Sequence, residues 1–217
     1  ITYGDWSSDV CSSDLLSLLE RAASGDTPQL IGLSALPGTG KSTLCGWIEA
    51  VAAASQQAIA VVSLDDFYWP AEQLEASMQG NPWQAPRALP GSHDLALLQR
   101  SLDDWQRSGT LHSPRFERAL RGGRGDRAGW RDRPARVVVL EGWFVGVDPW
   151  MPSHDNDDLA TPADPTLVPT PEELAYRPTV RAALQHYTPL WDRLDGLWHL
   201  RAPRDRKSTR LNSSHRT

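Results

Sequence analysis

Apolar residues along the chain fall into short continuous runs, separated by longer segments in which they recur at helical spacing. Four runs have the length and composition of buried strands, and they occupy positions 30–36, 58–64, 136–140 and 196–200. Helical spacing or helix-start signals are found at 15–23, 44–54, 72–79, 92–106 and 172–195. Strands that alternate with helices in this way indicate an α/β domain built on an open sheet.

Three internal segments show neither the strand nor the helix pattern of apolar residues and are predicted to be loops. Positions 82–91 are rich in proline, and positions 148–171 are rich in proline and aspartate, which predicts a surface insertion. The stretch 113–127 is rich in glycine and arginine, so we expect a loop that contributes nothing to a core.

The two ends of the chain differ from the rest in composition and in their lack of periodicity. Residues 1–15 and 205–217 are rich in serine, lack any strand or helix period, and resemble translations of common sequencing-adapter DNA. We therefore expect that they are not part of the natural protein and that the domain comprises residues 16–204. The alternative is a pair of natural disordered tails. On the first interpretation the domain is incomplete at its C-terminus.

Composition narrows the class of protein. The chain has 217 residues, enough for one core of ordinary size, and its net charge of −5 argues against nonspecific nucleic-acid binding. Two cysteines, Cys11 and Cys45, are too few for a disulfide framework or a cysteine metal cluster. No apolar run approaches the roughly 20 residues of a membrane span. We expect one soluble, cytoplasmic domain with no nucleic-acid or membrane partner, and its oligomeric state remains open.

The segment that follows the first predicted strand has the pattern of a phosphate-binding loop. A strand, a glycine-rich turn and a helix that starts with Lys-Ser-Thr are the required context, here with alanine where the first glycine usually stands. The glycines let backbone N–H groups turn toward an anion, and the helix N-terminus adds partial positive charge. Lys41 would reach the β- and γ-phosphates, and the Ser42 hydroxyl would bind Mg²⁺. The predicted nucleotide-binding residues are Ala35, Pro37, Gly38, Thr39, Gly40, Lys41, Ser42 and Thr43.

Acidic residues follow two of the other predicted strands. Asp65 and Asp66 come directly after the run 58–64, and Glu141 comes directly after 136–140. Carboxylates at the C-terminal ends of strands in an open α/β sheet lie where ligands bind. Such an aspartate can accept a proton, hold a metal or cap a helix, and Asp65 and Asp66 could divide these roles. Glu141 is predicted to hold the Mg²⁺ shell together with Ser42.

Arginines of the stretch 113–127 are the candidates for binding an acidic acceptor. Guanidinium groups suit carboxylate and phosphate recognition, and a solvated basic loop is the alternative explanation. Asp94, where a helix is predicted to begin, is either the N-cap of that helix or a substrate contact.

Eight short motifs occur along the chain in one order. They are the phosphate-binding loop, Ser-Leu-Asp-Asp-Phe-Tyr at 63–68, Gly-Asn-Pro at 80–82, Gly-Ser-His-Asp at 91–94, Pro-Arg-Phe at 114–116, Gly-Arg-Gly-Asp-Arg at 123–127, Leu-Glu-Gly-Trp at 140–143 and Leu-Arg-Ala-Pro at 200–203. This ordered set resembles the D-glycerate 3-kinase family, which is related to the uridine and pantothenate kinases. The resemblance covers nearly all of residues 28–203.

The resemblance implies a P-loop NTPase fold, a three-layer αβα sandwich with a mainly parallel sheet. It also implies ATP and Mg²⁺ as cofactors and phosphorylation of D-glycerate, a small hydroxy acid, to 3-phosphoglycerate. Lys41 and Asp65 correspond to catalytic residues, with Asp65 as the base. Substrate contacts are implied for Asp66, Tyr68, His93, Asp94, Arg115, Arg124, Asp126 and Arg127.

This sequence departs from the family pattern at two places. The family usually has Tyr-Asp-Lys-Ser where Phe116-Glu117-Arg118-Ala119 stands here. The family also continues beyond the position of Pro203 with a helix and a further strand. We therefore expect that the C-terminal strand of the sheet is missing from this chain.

Two other functions remain open. One is a kinase for a different small alcohol, such as a nucleoside or pantothenate, and the other is a module that binds a nucleotide without catalysis. The chain has no Asn-Lys-x-Asp guanine signature, and Asp65 and Asp66 beside an arginine-rich stretch suit a kinase better.

Overall fold

The computed structural model of the chain describes residues 11–149 and 168–200. Residues 1–10, the segment 205–217 and most of the predicted insertion at 148–171 lie outside these ranges. So does the chain beyond Leu200, and the expectation that the C-terminal strand of the family is missing stays a prediction.

Six strands and six helices make up the described residues. The strands are β1 Gln29–Ala35, β2 Ile59–Ser63, β3 Thr110–Glu117, β4 Asp126–Pro134, β5 Val137–Gly142 and β6 Gly196–Leu200. The helices are α1 Cys11–Ala23, α2 Lys41–Ala54, α3 Ala71–Ser77, α4 Leu95–Ser108, α5 Pro171–Gln185 and α6 Thr188–Trp191. All four predicted strands are present, each within one or two residues of the predicted bounds.

Four of the strands form a parallel sheet in the order β2-β5-β1-β6. Helices cover both of its faces. On one face, Leu19 of α1 and Ile48 of α2 pack with Leu33 of β1. On the other, Leu102 of α4 packs with Leu140 of β5 and with residues of α6. Because both faces are buried, these strands read as continuous apolar runs rather than as alternating patterns. The arrangement confirms the predicted αβα sandwich with a mainly parallel sheet.

Helix α1 begins earlier in the chain than its apolar spacing predicted. Its first residue is Cys11, and Leu15 is only 1% exposed in the cluster that also contains Leu19. Residues 11–14 lie in the segment 1–15 that was excluded from fold reasoning, and they extend this helix. Leu15, where helical spacing was predicted to begin, contributes to the core. That residues 1–15 are not part of the natural protein stays a prediction. None of the helices in residues 11–149 and 168–200 is long and apolar enough to cross a membrane.

The stretch 113–127 is a loop, as its composition predicted, only at 118–125, because residues 113–117 end β3 and residues 126–127 begin β4. Strands β3 and β4 pair antiparallel as a separate two-stranded sheet, with an irregularity between Pro114 and Phe116. Gly125 has a φ of +84°, and a β-carbon there would overlap the ring of Phe116. Glycine at this position therefore permits both the turn and the close approach of the aromatic ring.

Candidate active site

The carboxyl ends of β1, β2 and β5 meet at one edge of the parallel sheet. Glu141 of β5 lies in register with Leu33 of β1 on one side and with Ser63 of β2 on the other. The loop after β1, the turn after β2 and the end of β5 are thereby brought together. They line a cleft of about 590 Å³.

The loop between β1 and α2 presents backbone donors to this cleft. Gly38 and Gly40 have φ values of +84° and +90°, which only glycine adopts without strain. Thr39 closes the turn, because its hydroxyl donates to the Leu36 carbonyl oxygen at 2.8 Å. Helix α2 starts at Lys41 with no side-chain cap and no acidic residue in its first turn. Its first N–H groups and its dipole therefore remain available to an anion.

Lys41 and Glu141 form the charged pair at the base of the cleft. The ammonium group of Lys41 contacts Oε2 of Glu141, and the two side chains are only 17% and 14% exposed. Burial lowers the pKa of Lys41 below its usual value, although nearby charges such as that of Asp65 oppose the shift. Lys41 lines the cleft at the start of α2, and its contact with the β- and γ-phosphates stays a prediction.

Asp65 faces the cleft from the 3₁₀ turn Leu64–Phe67 that follows β2. The Tyr68 hydroxyl donates to its Oδ1 at 2.8 Å, and Nη2 of Arg118 donates to its Oδ2 at 2.6 Å. Burial raises the pKa of Asp65, but His93, Tyr68 and Arg118 together outweigh it and lower that pKa to about 2. The carboxylate is therefore ionised at neutral pH and turned toward the phosphate loop.

Asp66 has a different role from its neighbour. It accepts a hydrogen bond from the backbone N–H of Phe116 at 3.2 Å and does not line the cleft. Burial raises the pKa of Asp66, and Phe116 and Arg133 partly oppose this. The two carboxylates thus divide their roles: Asp65 faces the site, while Asp66 ties the β3–β4 hairpin to the turn after β2.

The arginines predicted to bind the acceptor lie in other ion pairs. Arg115 reaches Glu117 at 3.4 Å, and Arg124 reaches Glu75 at 3.2 Å. Arg127 donates to Asp94 at 3.1 Å. None of the three lines the cleft.

Four further residues predicted to contact the substrate also have structural partners. Asp94 caps α4 by accepting from the backbone N–H of Leu97 at 2.9 Å. Asp126 accepts from the backbone N–H of Ala71 at 3.2 Å. Tyr68 lines the cleft, whereas the side chain of His93 is fully buried behind it. Of the residues predicted for the acceptor, the structure therefore brings only Tyr68 to the cleft.

Two arginines that sequence analysis did not single out line the cleft instead. Arg118 follows directly after β3, and Arg87 lies in the proline-rich segment, where Nη1 donates to the carbonyl oxygens of Gly123 and Arg124, both at 2.9 Å. Trp143 holds this segment in place, since its indole N–H donates to the carbonyl oxygen of Ala88 at 3.0 Å. Arg118 belongs to the stretch 113–127 whose arginines were the candidates, although it was not named individually, and Arg87 had no sequence signal.

Oxygen donors suited to Mg²⁺ are present at the nucleotide end of the cleft. They are the exposed Ser42 hydroxyl and the Glu141 carboxylate. Within the described residues no group of three or more His, Cys, Asp or Glu side chains could hold a metal by itself. This donor set fits Mg²⁺, which uses one or two protein oxygens and completes its shell with phosphates and water.

The known proteins to which this chain is similar in sequence are kinases. No protein-family model matches the chain. It is 31% identical over 183 residues to the chloroplastic D-glycerate 3-kinase of Arabidopsis thaliana, an alignment that covers 79% of this chain and 37% of the relative. It is 29% identical over 207 residues to the uncharacterized kinase mug58 of Schizosaccharomyces pombe, covering 89% of this chain and 72% of that protein.

Among solved structures, the D-glycerate 3-kinase of Cryptococcus neoformans has the same fold. It superposes with a TM-score of 0.70 at 22% identity, covering 88% of this chain and 73% of that chain. The chain spans little more than a third of the length of the Arabidopsis relative and about three quarters of the other two.

Proposed function

Since the chain belongs to the P-loop kinase family that includes the D-glycerate 3-kinases, we propose that it transfers the γ-phosphoryl group of ATP to the hydroxyl group of a small hydroxy acid. D-glycerate is the proposed acceptor and 3-phosphoglycerate the proposed product. One observation carries the proposal: a single cleft is lined by the phosphate loop, by Asp65 and by the two arginines Arg87 and Arg118.

The nucleotide half of the cleft suits a triphosphate. The N–H groups of the loop and of the first turn of α2 would hold the phosphate oxygens, and Lys41 would neutralise charge on the γ-phosphoryl group. Lys41 would exchange Glu141 for phosphate oxygens when the nucleotide binds. Ser42 and Glu141 would hold Mg²⁺, which would neutralise negative charge on the phosphates.

The acceptor half suits an alcohol that carries a carboxylate. Asp65 would accept the proton of the attacking hydroxyl, whose oxygen forms the new P–O bond as the bond to ADP breaks. The guanidinium of Arg118, whose side chain is 65% exposed and next to Asp65, would bind the acceptor carboxylate through two parallel hydrogen bonds, and Arg87 also lines the cleft. When Arg118 turns toward that carboxylate, one contact that lowers the pKa of Asp65 is lost, so Asp65 becomes the stronger base.

The experiment is a coupled ADP-release assay on the full-length protein with D-glycerate, glycerol, uridine and pantothenate, each with MgATP. We expect turnover with D-glycerate and little with the other three. Turnover confined to uridine or pantothenate would reassign the acceptor. Tight ATP binding with no turnover of any acceptor would indicate a nucleotide-binding module instead.

A further inference from the structure

His93 is buried directly behind the proposed base. Its side chain has no exposed surface, and its ring stacks on Tyr68 with centroids 4.5 Å apart. Nε2 has no hydrogen-bond partner, although it is buried, and it lies 4.0 Å from Oδ1 of Asp65. A buried ring nitrogen without a partner is costly unless it serves another group. A side chain in this position does not touch an acceptor, so His93 can act only through Asp65 and Tyr68.

The hydrogen bonds on the other ring nitrogen determine where the imidazole carries its proton. The Tyr187 hydroxyl lies 2.7 Å from Nδ1 of His93 and accepts from the backbone N–H of Gly91 at 3.0 Å. The Gly91 N–H can only donate, so of these two partners only Nδ1 can accept the proton of the Tyr187 hydroxyl, and a buried hydroxyl proton without an acceptor is costly. Ser92 Oγ lies 3.3 Å from Nδ1, but its proton is donated to the Leu89 carbonyl oxygen at 2.5 Å, so Ser92 does not compete with Tyr187 as a donor to Nδ1. Nδ1 therefore accepts a hydrogen bond from Tyr187, and Nε2 carries the single proton of the ring.

Burial keeps this arrangement neutral. Removal from water lowers the pKa of His93, although nearby Asp65 opposes the shift, and it raises the pKa of Tyr187. The imidazole therefore has one proton, and the phenol retains the proton that it donates. Nε2 is the ring nitrogen near Asp65, 4.0 Å from Oδ1 of its carboxylate.

We propose that His93 is a positioning residue for Asp65: its Nε2–H, fixed in place by Tyr187, orients Oδ1 of Asp65 toward the acceptor hydroxyl. The proposal rests on the proposed kinase function, in which Asp65 is the base. Oδ1 also accepts a hydrogen bond from the hydroxyl of Tyr68, whose ring stacks on His93. Oδ2 of Asp65 accepts a hydrogen bond from Arg118. The 4.0 Å separation is longer than a hydrogen bond, and such contacts at catalytic groups shorten in the substrate complex.

Two substitutions at His93 test the roles of the two ring nitrogens separately. His93→Asn keeps a polar group near Tyr187 and removes the donor that faces Asp65, whereas His93→Gln extends an amide donor toward Asp65. In the full-length enzyme we expect His93→Asn to lower kcat for D-glycerate by about ten- to a hundredfold with KM for ATP unchanged, the scale of a misplaced catalytic group. His93→Gln should recover part of that loss. His112→Gln, at an exposed histidine of β3, is the matched control and should leave kcat unchanged.

Nitrogen-15 NMR of the imidazoles tests the arrangement without turnover. We expect a protonated Nε2 and an unprotonated Nδ1 for His93, and a change at Nε2 in Asp65→Asn. Tyr187→Phe should move the proton toward Nδ1 and lower kcat in a protein that still melts cooperatively.

Each outcome has a defined meaning. A protonated Nδ1 in the wild type, or normal kcat in a folded His93→Asn variant, would overturn the proposal while leaving the kinase function intact. If His93→Asn does not fold, the protonation state of His93 in the wild-type spectrum and the kcat of Tyr187→Phe test the proposal instead. If no acceptor is phosphorylated, the proposed function fails, and a change at Nε2 in Asp65→Asn still measures whether His93 holds that carboxylate.

Discussion

Replacement of Arg118 distinguishes a surface ion pair from an acceptor-binding group. In Arg118→Met the chain keeps a long apolar side chain and loses the guanidinium that reaches Asp65 at 2.6 Å. Because the Arg118 side chain is 65% exposed, solvent screens this pair, and its loss should change the free energy of unfolding by less than about 1 kcal/mol. If the ion pair were its whole role, Arg118→Met would have little further effect.

An acceptor-binding role predicts a much larger change. A hydrogen bond to a charged group contributes about 1.5–3 kcal/mol, and each 1.4 kcal/mol corresponds to a factor of about ten. In Arg118→Met, kcat/KM for D-glycerate should therefore fall by roughly ten- to a hundredfold, with KM for ATP nearly unchanged. Arg118→Lys keeps the charge but loses the planar fork, so we expect KM for D-glycerate to rise by about tenfold.

The assay compares D-glycerate with glycerol, which has the hydroxyl groups but no carboxylate. Arg118→Met should lower turnover of D-glycerate selectively and so reduce its advantage over glycerol. The matched control is Arg115→Met, because Arg115 lies on the same hairpin, pairs with Glu117 and does not line the cleft. The reasoning is refuted if D-glycerate kinetics stay normal in Arg118→Met, or if Arg115→Met causes the larger loss.

Three further changes test other parts of the structure. Lys41→Ala should lower kcat/KM by about a hundredfold or more with the circular dichroism spectrum unchanged, and near-normal turnover would contradict the phosphate-loop assignment. Because the pKa of Asp65 is lowered from 3.8 to about 2, its ionised form should stabilise the fold above pH 4. Urea unfolding should show that about 2 kcal/mol of this stability is lost toward pH 2 in the wild type. The Asp65→Asn variant should not lose this stability toward pH 2. Parallel pH profiles of the free energy of unfolding for the two proteins would contradict the lowered pKa of Asp65. Deletion of residues 1–10 should leave the thermal midpoint unchanged, whereas deletion through Leu15 should cost about 2 kcal/mol or more because that side chain is buried. Equal midpoints for the two deletions would contradict the packing of α1.

The sequence predicted the nucleotide half of the site because its signals are local. A buried parallel strand is a continuous apolar run, and the phosphate loop is a contiguous string with fixed spacing. The carboxylates after β2 and β5 follow from the same rule, since parallel strands bring their carboxyl ends to one edge of the sheet. The roles given to Lys41, Ser42, Asp65 and Glu141 remain predictions for the variants above.

The acceptor half could not be predicted in the same way. Strand β4 has no buried face, and most of its residues are exposed, so neither an apolar run nor alternation marks it. Without the hairpin, nothing in the sequence distinguishes Arg118 from Arg115, Arg124 and Arg127. Arg87 reaches the cleft through the fold of a proline-rich segment that has no period. The start of α1 was missed because residues 11–14 are mostly polar and only Leu15 marks a buried face.

Because β3 and β4 form a sheet of their own, side chains of this hairpin, such as the proposed acceptor ligand Arg118, can change separately from the buried sheet that carries the phosphate loop. Exposed positions of β4 and its turn make few packing contacts, and substitutions at such positions usually change stability by less than about 0.5 kcal/mol. The hairpin is therefore the natural place for new acceptor preferences to evolve. A protein engineer who wanted a kinase for another small alcohol would randomise the exposed residues of 118–131 first and leave the parallel sheet untouched.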